Sequence, residues 1–125
     1  HRLRRPVDWR LREVPVDLVG AISSATAQDC LLIDSLGTWL ANLLDQRDKD
    51  WQRTVDAFLA SLNSTPSTVI LVSEETGWGV VPAYPLGRKF RDRLGFLTRQ
   101  VGTTADAAYL VVAGHAINLQ QIATP

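Results

Sequence analysis

Cys30-Leu31-Leu32-Ile33-Asp34-Ser35 is four apolar residues in a row, closed by an acid and a hydroxyl. An apolar run of this length without polar alternation reads as a short strand buried on both faces. Leu36, Leu40, Leu43 and Leu44 follow at helical spacing, so a strand passes directly into a helix. The same pattern recurs downstream. Trp51, Val55, Phe58, Leu59 and Leu62 mark an amphipathic helix that Asp50 is placed to cap, and 63–67 is a turn cluster. Residues 68–73 form a second apolar strand rich in β-branched side chains. Leu86, Phe90, Leu94, Leu97 and Val101 trace a long helix weakened by Gly95, and 108–113 is a third apolar strand. Upstream, Leu18, Val19, Ile22 and Ala25 share one face of a helix expected within 16–28.

Strands alternating with helices predict an α/β domain. The three strands are expected to be neighbours in one mostly parallel sheet with helices on both faces. In such sheets ligands bind beyond the carboxyl ends of the strands. Those ends carry Asp34, then Ser73-Glu74-Glu75, then Gly114-His115. The stretch 1–15 is arginine-rich and broken by Pro6 and Pro15, an arm with a short strand expected around 9–14.

The 125 residues fit one domain, 46% of them are apolar, and formal net charge is zero. The apolar fraction excludes a disordered chain, and the balanced charge gives no argument for nucleic acid or an anionic membrane as partner. No apolar stretch approaches the roughly 18 residues that span a bilayer. The single cysteine, Cys30, excludes a disulfide framework and reads as a small buried hydrophobe of a protein from a reducing compartment, the cytoplasm. The chain holds no methionine and starts at His1, so an upstream segment is expected to be missing.

Several residue types suit phosphate chemistry. An acid closing a strand, as Asp34 does, holds Mg²⁺ beside nucleotide phosphates in many nucleotide-binding sheets, and it equally suits a helix N-cap. Residues 73–82, SEETGWGVVP, place two carboxylates and a tryptophan between glycines at a strand exit. Such a loop either presents Glu75 and Trp78 to a ligand or connects elements while Trp78 fills the core. Arg88, Lys89, Arg91 and Arg93 lie within one helix, where a solvated face paired with Asp92 is expected and phosphate contact is the alternative. His1 stands beside Arg2, Arg4 and Arg5. Neutral imidazole is a nucleophile near neutral pH and guanidinium matches phosphate oxygens, although a terminal histidine among arginines also reads as a solvated arm. His115 is expected to pack.

Three blocks of the chain resemble the adenosylcobinamide kinase / adenosylcobinamide-phosphate guanylyltransferases. They are HRLRRPVDWRLRE at 1–13, LLIDSLGTWLANLL at 31–44, and 69–114 with VSEETGWGVVP, GRKFRDRLG and ADAAYLVVAG. The resemblance implies a three-layer, RecA-like P-loop nucleoside triphosphatase fold. It implies phosphorylation of adenosylcobinamide at the expense of ATP or GTP, then transfer of GMP from GTP to adenosylcobinamide phosphate through a GMP-histidine. His1 falls on that histidine. Arg2, Leu3, Arg4, Arg5 and Glu13 fall on nucleotide-contacting positions, and Asp34 on the acid assigned to GTP and Mg²⁺. A homo-oligomer, possibly a trimer, is implied as well.

The chain departs from this family in three places. It lacks a GxxxSGKS-type phosphate loop with its strand and helix, so the 125 residues read as the C-terminal part of a longer enzyme, with little kinase activity of their own. Ser73-Glu74-Glu75 stands for Ser-Asn-Glu, and Thr98-Arg99 for Asn-Gln. The rival expectation is a non-catalytic corrinoid- or nucleotide-binding module derived from the same fold.

Overall fold

A computed structural model describes residues 4–124. The elements in chain order are α1 (Leu18–Ser23), β1 (Cys30–Asp34), α2 (Leu36–Asn42), α3 (Asp48–Ser64), β2 (Thr68–Val72), α4 (Pro85–Thr104), β3 (Tyr109–Val112), β4 (His115–Asn118) and α5 (Leu119–Ile122). The mixed α/β character expected from the strand–helix alternation is present. β1 and β2 pair in parallel, with Cys30 opposite Thr68 and Asp34 opposite Val72.

The core follows from two amphipathic helices laid on this pair. Trp51, Val55 and Phe58 of α3 and Leu94, Leu97 and Val101 of α4 are buried at the spacing of one helical face. They join Leu18 and Ile22 of α1 and Leu36, Trp39 and Leu40 of α2 in a single cluster, against which Leu31, Ile33 and Leu71 pack from the strands. Trp39 lies 5.0 Å from Phe58 and 6.1 Å from Trp51, centroid to centroid, both tilted, a favoured aromatic arrangement.

Several expectations are corrected. Burial alternates along both strands, so one face packs on the helices while Cys30, Leu32, Ile70 and Val72 of the other are exposed. Among the described residues the helices therefore cover one face of the sheet, and Cys30 is exposed rather than buried. A run of apolar residues cannot tell one-sided from two-sided cover; that depends on which other elements are present. The third strand does not join β1 and β2. β3 pairs antiparallel with β4, Val112 opposite His115, as a separate two-stranded sheet. The β3–β4 pairing has a local cause: Ala113 (φ +50°) and Gly114 (φ +75°) make a two-residue turn with both φ positive, the geometry that suits a tight hairpin.

Smaller differences have equally local causes. The helix expected within 16–28 is confined to Leu18–Ser23, with Asp17 accepting from the Gly20 N–H at 2.9 Å as its cap. Asp50 lies inside the first turn of α3 rather than capping it. No strand forms over 9–14, a stretch between Pro6 and Pro15. α4 runs through Gly95 unbroken.

Candidate functional site

Parallel pairing in register brings the carboxyl ends of β1 and β2 side by side. Asp34 closes β1 and is exposed, on the face away from the helices. The capping role left open for it belongs to Ser35, whose side chain accepts from the Thr38 N–H. Asp34 is therefore not spent on the helix and keeps its carboxylate at the strand end. The Asp34–Ser35 peptide bond is cis.

Beyond β2, Ser73 shares a 2.7 Å hydrogen bond with Thr98 of α4. Glu74 is fastened on the other side. Its Oε1 accepts from the Ser35 hydroxyl and its Oε2 from the Gly37 N–H at 3.0 Å. Glu75, the acid that the sequence singled out, accepts from the Gly77 N–H at 2.8 Å within its own turn. Trp78 does not fill the core: it is 74% exposed, and Val80 and Tyr84 of the same loop are exposed too. The alternative in which Trp78 fills the core is thereby excluded, and the loop leaves its aromatic side chains exposed at the strand exit.

The arm that carries Glu13 is tied to the same region. Trp39 Nε1 donates to the Val16 carbonyl at 2.9 Å, and Asn42 Nδ2 to the Pro15 carbonyl at 3.0 Å. Both anchors sit on α2, the helix that starts just after Asp34. Glu13 is exposed and lines an open cavity of about 530 Å³ with Arg12, Asp17 and Gly20. Arg4 and Arg5 are exposed. His1, Arg2 and Leu3 lie outside the described residues.

The basic run of α4 is not a uniform solvated face. Arg91 pairs with Asp92 at 3.0 Å, as expected. Arg88 instead donates to the Pro82 and Ala83 carbonyls, at 3.0 and 2.9 Å, and holds the end of the 73–84 loop against the helix. Arg93 is buried; it reaches the Leu44 and Gln46 carbonyls and Asp48, and lies over the Trp51 ring. Its position is explained by spacing, because 93, 97 and 101 fall on one stripe of the helix. The expected solvated pairing thus fails for Arg93.

The third expected ligand position, Gly114-His115, is a hairpin rather than the end of a parallel strand. His115 is exposed instead of packed, and its Nδ1 bonds the Ala113 carbonyl at 2.8 Å. It stands on a different sheet from Asp34 and Glu74. The candidate site is therefore the paired ends of β1 and β2 with the 73–84 loop; Glu13 lines a separate cavity beside α1, with no residue of those strand ends or that loop in its lining. The sequence marks Glu74 as one of two carboxylates leaving β2 but not its role, because the contact that gives it one crosses 39 positions of sequence.

Comparison with known proteins agrees with the sequence blocks. The model of the cobinamide kinase / cobinamide phosphate guanyltransferase family matches residues 1–119. The bifunctional adenosylcobalamin biosynthesis protein CobP of Pseudomonas aeruginosa is 42% identical over 118 residues, which span 91% of this chain and 67% of that protein. The bifunctional adenosylcobalamin biosynthesis protein CobU of Salmonella typhimurium is 30% identical over 135 aligned positions, 96% of this chain and 75% of its own. Its Escherichia coli counterpart is 28% identical over the same shares. The chain belongs to the cobinamide kinase / cobinamide phosphate guanyltransferase family.

Proposed function

We propose that the protein acts in cobalamin biosynthesis, phosphorylating adenosylcobinamide and then transferring GMP from GTP onto the new phosphate. Family membership over nearly the whole chain supports this reading, as do the names of its relatives. The structural observation that carries it is the parallel β1–β2 pair ending in the exposed carboxylate of Asp34, beside an aromatic-bearing loop. That is where α/β sheets place nucleotide phosphates.

His1 is the nucleophile of the second reaction. Its neutral imidazole attacks the α-phosphorus of GTP; a P–N bond forms as the P–O bond to pyrophosphate breaks. A phosphate oxygen of adenosylcobinamide phosphate then attacks the same phosphorus. The P–N bond breaks, adenosyl-GDP-cobinamide leaves, and the imidazole is regenerated. Arg2, Arg4 and Arg5 neutralise charge on the phosphate oxygens, and Leu3 and Glu13 complete the nucleotide contacts. Glu75 and Trp78 face the corrinoid substrate.

The donor set fits Mg²⁺. Among the described residues no cluster of three His, Cys, Asp or Glu gathers into a metal cage. One exposed carboxylate is what an ion held mainly by nucleotide phosphates and water needs, and Asp34 supplies it. Bound there, Mg²⁺ would offset the charge of the phosphates.

A phosphate loop of the GxxxSGKS type is not within these 125 residues. The exposed apolar face bearing Leu32, Ile70 and Val72 is one that a helix following a phosphate loop would cover in a three-layer fold. Among the described residues no helix is long and apolar enough to cross a membrane. The exposed Cys30 thiol suits a reducing compartment, and we place the protein in the cytoplasm as a homo-oligomer.

The test is direct. The complete gene product, incubated with adenosylcobinamide, GTP or ATP, and Mg²⁺, yields adenosylcobinamide phosphate and then adenosyl-GDP-cobinamide on chromatography. Binding of corrinoid or nucleotide without either product would instead support a non-catalytic module.

A further inference from the structure

We propose that Glu74 is a positioning residue: its carboxylate locks the turn after β1, and so Asp34, to the start of the 73–84 loop. This rests on the reading of Asp34 as the acid of a nucleotide site. Glu74 departs from the amide expected at its position, so its role is a property of this chain rather than of the family pattern.

The geometry is a two-point seat. One carboxylate oxygen accepts from the Ser35 hydroxyl and the other from the Gly37 N–H at 3.0 Å. Ser35 is buried, at 7% exposure, and its hydroxyl has only one proton to give. With that proton on Glu74, the Ser35 oxygen accepts from the Thr38 N–H at 3.3 Å and from the Thr38 hydroxyl at 3.1 Å. Every hydrogen-bonding capacity of Ser35 Oγ is then filled, and the direction of each bond is fixed. Ser35 follows Asp34 directly, so an ordered Ser35 fixes the backbone from which the Asp34 side chain springs.

Gly37 belongs to the same device. A Cβ added there would stand 2.8 Å from Glu74 Cδ, closer than real contacts allow. The glycine is needed for space, so that a carboxylate can approach the first turn of α2. On the far side of β2, the Ser73–Thr98 bond holds the neighbouring residue to α4. The strand end is therefore tethered to both helices, and Glu74 is the tether that reaches the Asp34 side.

A carboxylate suits this seat because both facing groups are donors. A glutamine accepts through one end only; its NH₂ would face Ser35 Oγ, whose lone pairs are already used by Thr38. Glutamine should thus preserve part of the tether and alanine none. Misplacing a catalytic group by about 1 Å can cost on the order of a hundredfold in rate.

The experiment compares wild-type, Glu74→Ala and Glu74→Gln complete gene product in two readouts. The first is hydrogen exchange at the Gly37 amide; the second is steady-state phosphorylation of adenosylcobinamide. The expected result is Gly37 exchange at least about tenfold faster in Glu74→Ala, with kcat down about 10- to 100-fold and KM for adenosylcobinamide within about twofold. Glu74→Gln should recover part of both effects and keeps the proposal testable if the alanine variant does not fold. Unchanged Gly37 exchange, or faster exchange with kcat within about twofold of wild type, would overturn it. An inactive wild-type protein would instead strike the functional reading, which separates the two failures.

Discussion

Arg93→Ala tests how α4 holds the loop that follows α2. Arg93 Nη2 donates to the Gln46 carbonyl at 2.7 Å and to Asp48 Oδ1 at 2.9 Å, Nη1 reaches the Leu44 carbonyl at 3.3 Å, and Cζ lies 5.3 Å from the Trp51 centroid. The short bond from a buried cation to Gln46 is worth about 1.5–3 kcal/mol. The stack on Trp51 adds about 0.5–1 kcal/mol. Asp48 is 98% exposed, so its ion pair contributes at most about 1 kcal/mol. Truncation also relieves the cost of burying the guanidinium, which offsets part of the loss. The net expectation is a destabilisation of about 2–4 kcal/mol, read by urea unfolding as a lower midpoint with an unchanged slope. Arg93→Lys should recover less than half, because one ammonium cannot reproduce the planar fork that meets three acceptors. Asp48→Ala should cost under about 1 kcal/mol. A loss below about 1 kcal/mol for Arg93→Ala, or full recovery by lysine, would refute this account of the buried arginine.

Three further outcomes follow from other parts of the molecule. Gly95→Ala should stabilise by about 0.5–1 kcal/mol, because a Cβ there meets nothing within 4 Å and α4 gains helix propensity; thermal unfolding decides. Asp34→Asn should cut turnover by about a hundredfold or more while leaving the far-ultraviolet circular dichroism unchanged, since Ser35 and not Asp34 caps α2. The Thr26 backbone N–H, at 2.7 Å, and then its hydroxyl, at 2.8 Å, hold the Asp29 carboxyl below the usual aspartate range. A depressed folded-state pKa contributes stability above the unfolded value that is lost as pH falls through the folded one. The 26–29 turn should therefore loosen only under acid conditions, visible as a shift of the Thr26 amide resonance in an NMR titration.

Much of the fold was legible because it is written locally. The apolar runs at Cys30–Asp34 and Thr68–Val72, and the helical spacings of Trp51-Val55-Phe58 and Leu94-Leu97-Val101, became the elements they predicted. The misses are contacts decided at a distance. Whether Leu32 and Ile70 are covered depends on other elements, not on their own strands. The pairing of β3 with β4 rests on the turn at Ala113 and Gly114, whose positive φ values suit a tight hairpin and which no apolar run announces. Arg93 carries the apolar stripe of α4, but its charge hid that position from a reading based on hydrophobicity. At the site, Asp34 was visible as a strand-closing acid. The tie between Glu74 and Ser35 was not, because register alone brings those two segments together.

The measurement that bears most directly on the proposed chemistry is covalent labelling. The complete gene product is incubated with GTP labelled at the α-phosphate and Mg²⁺, then denatured. The expected result is label on the protein that survives alkali and is released by acid, as a phosphoramidate requires. His1→Asn should abolish the labelling while largely sparing phosphorylation of adenosylcobinamide. Undiminished labelling of the His1→Asn protein, or no labelling of the wild type during active guanylyl transfer, would contradict it.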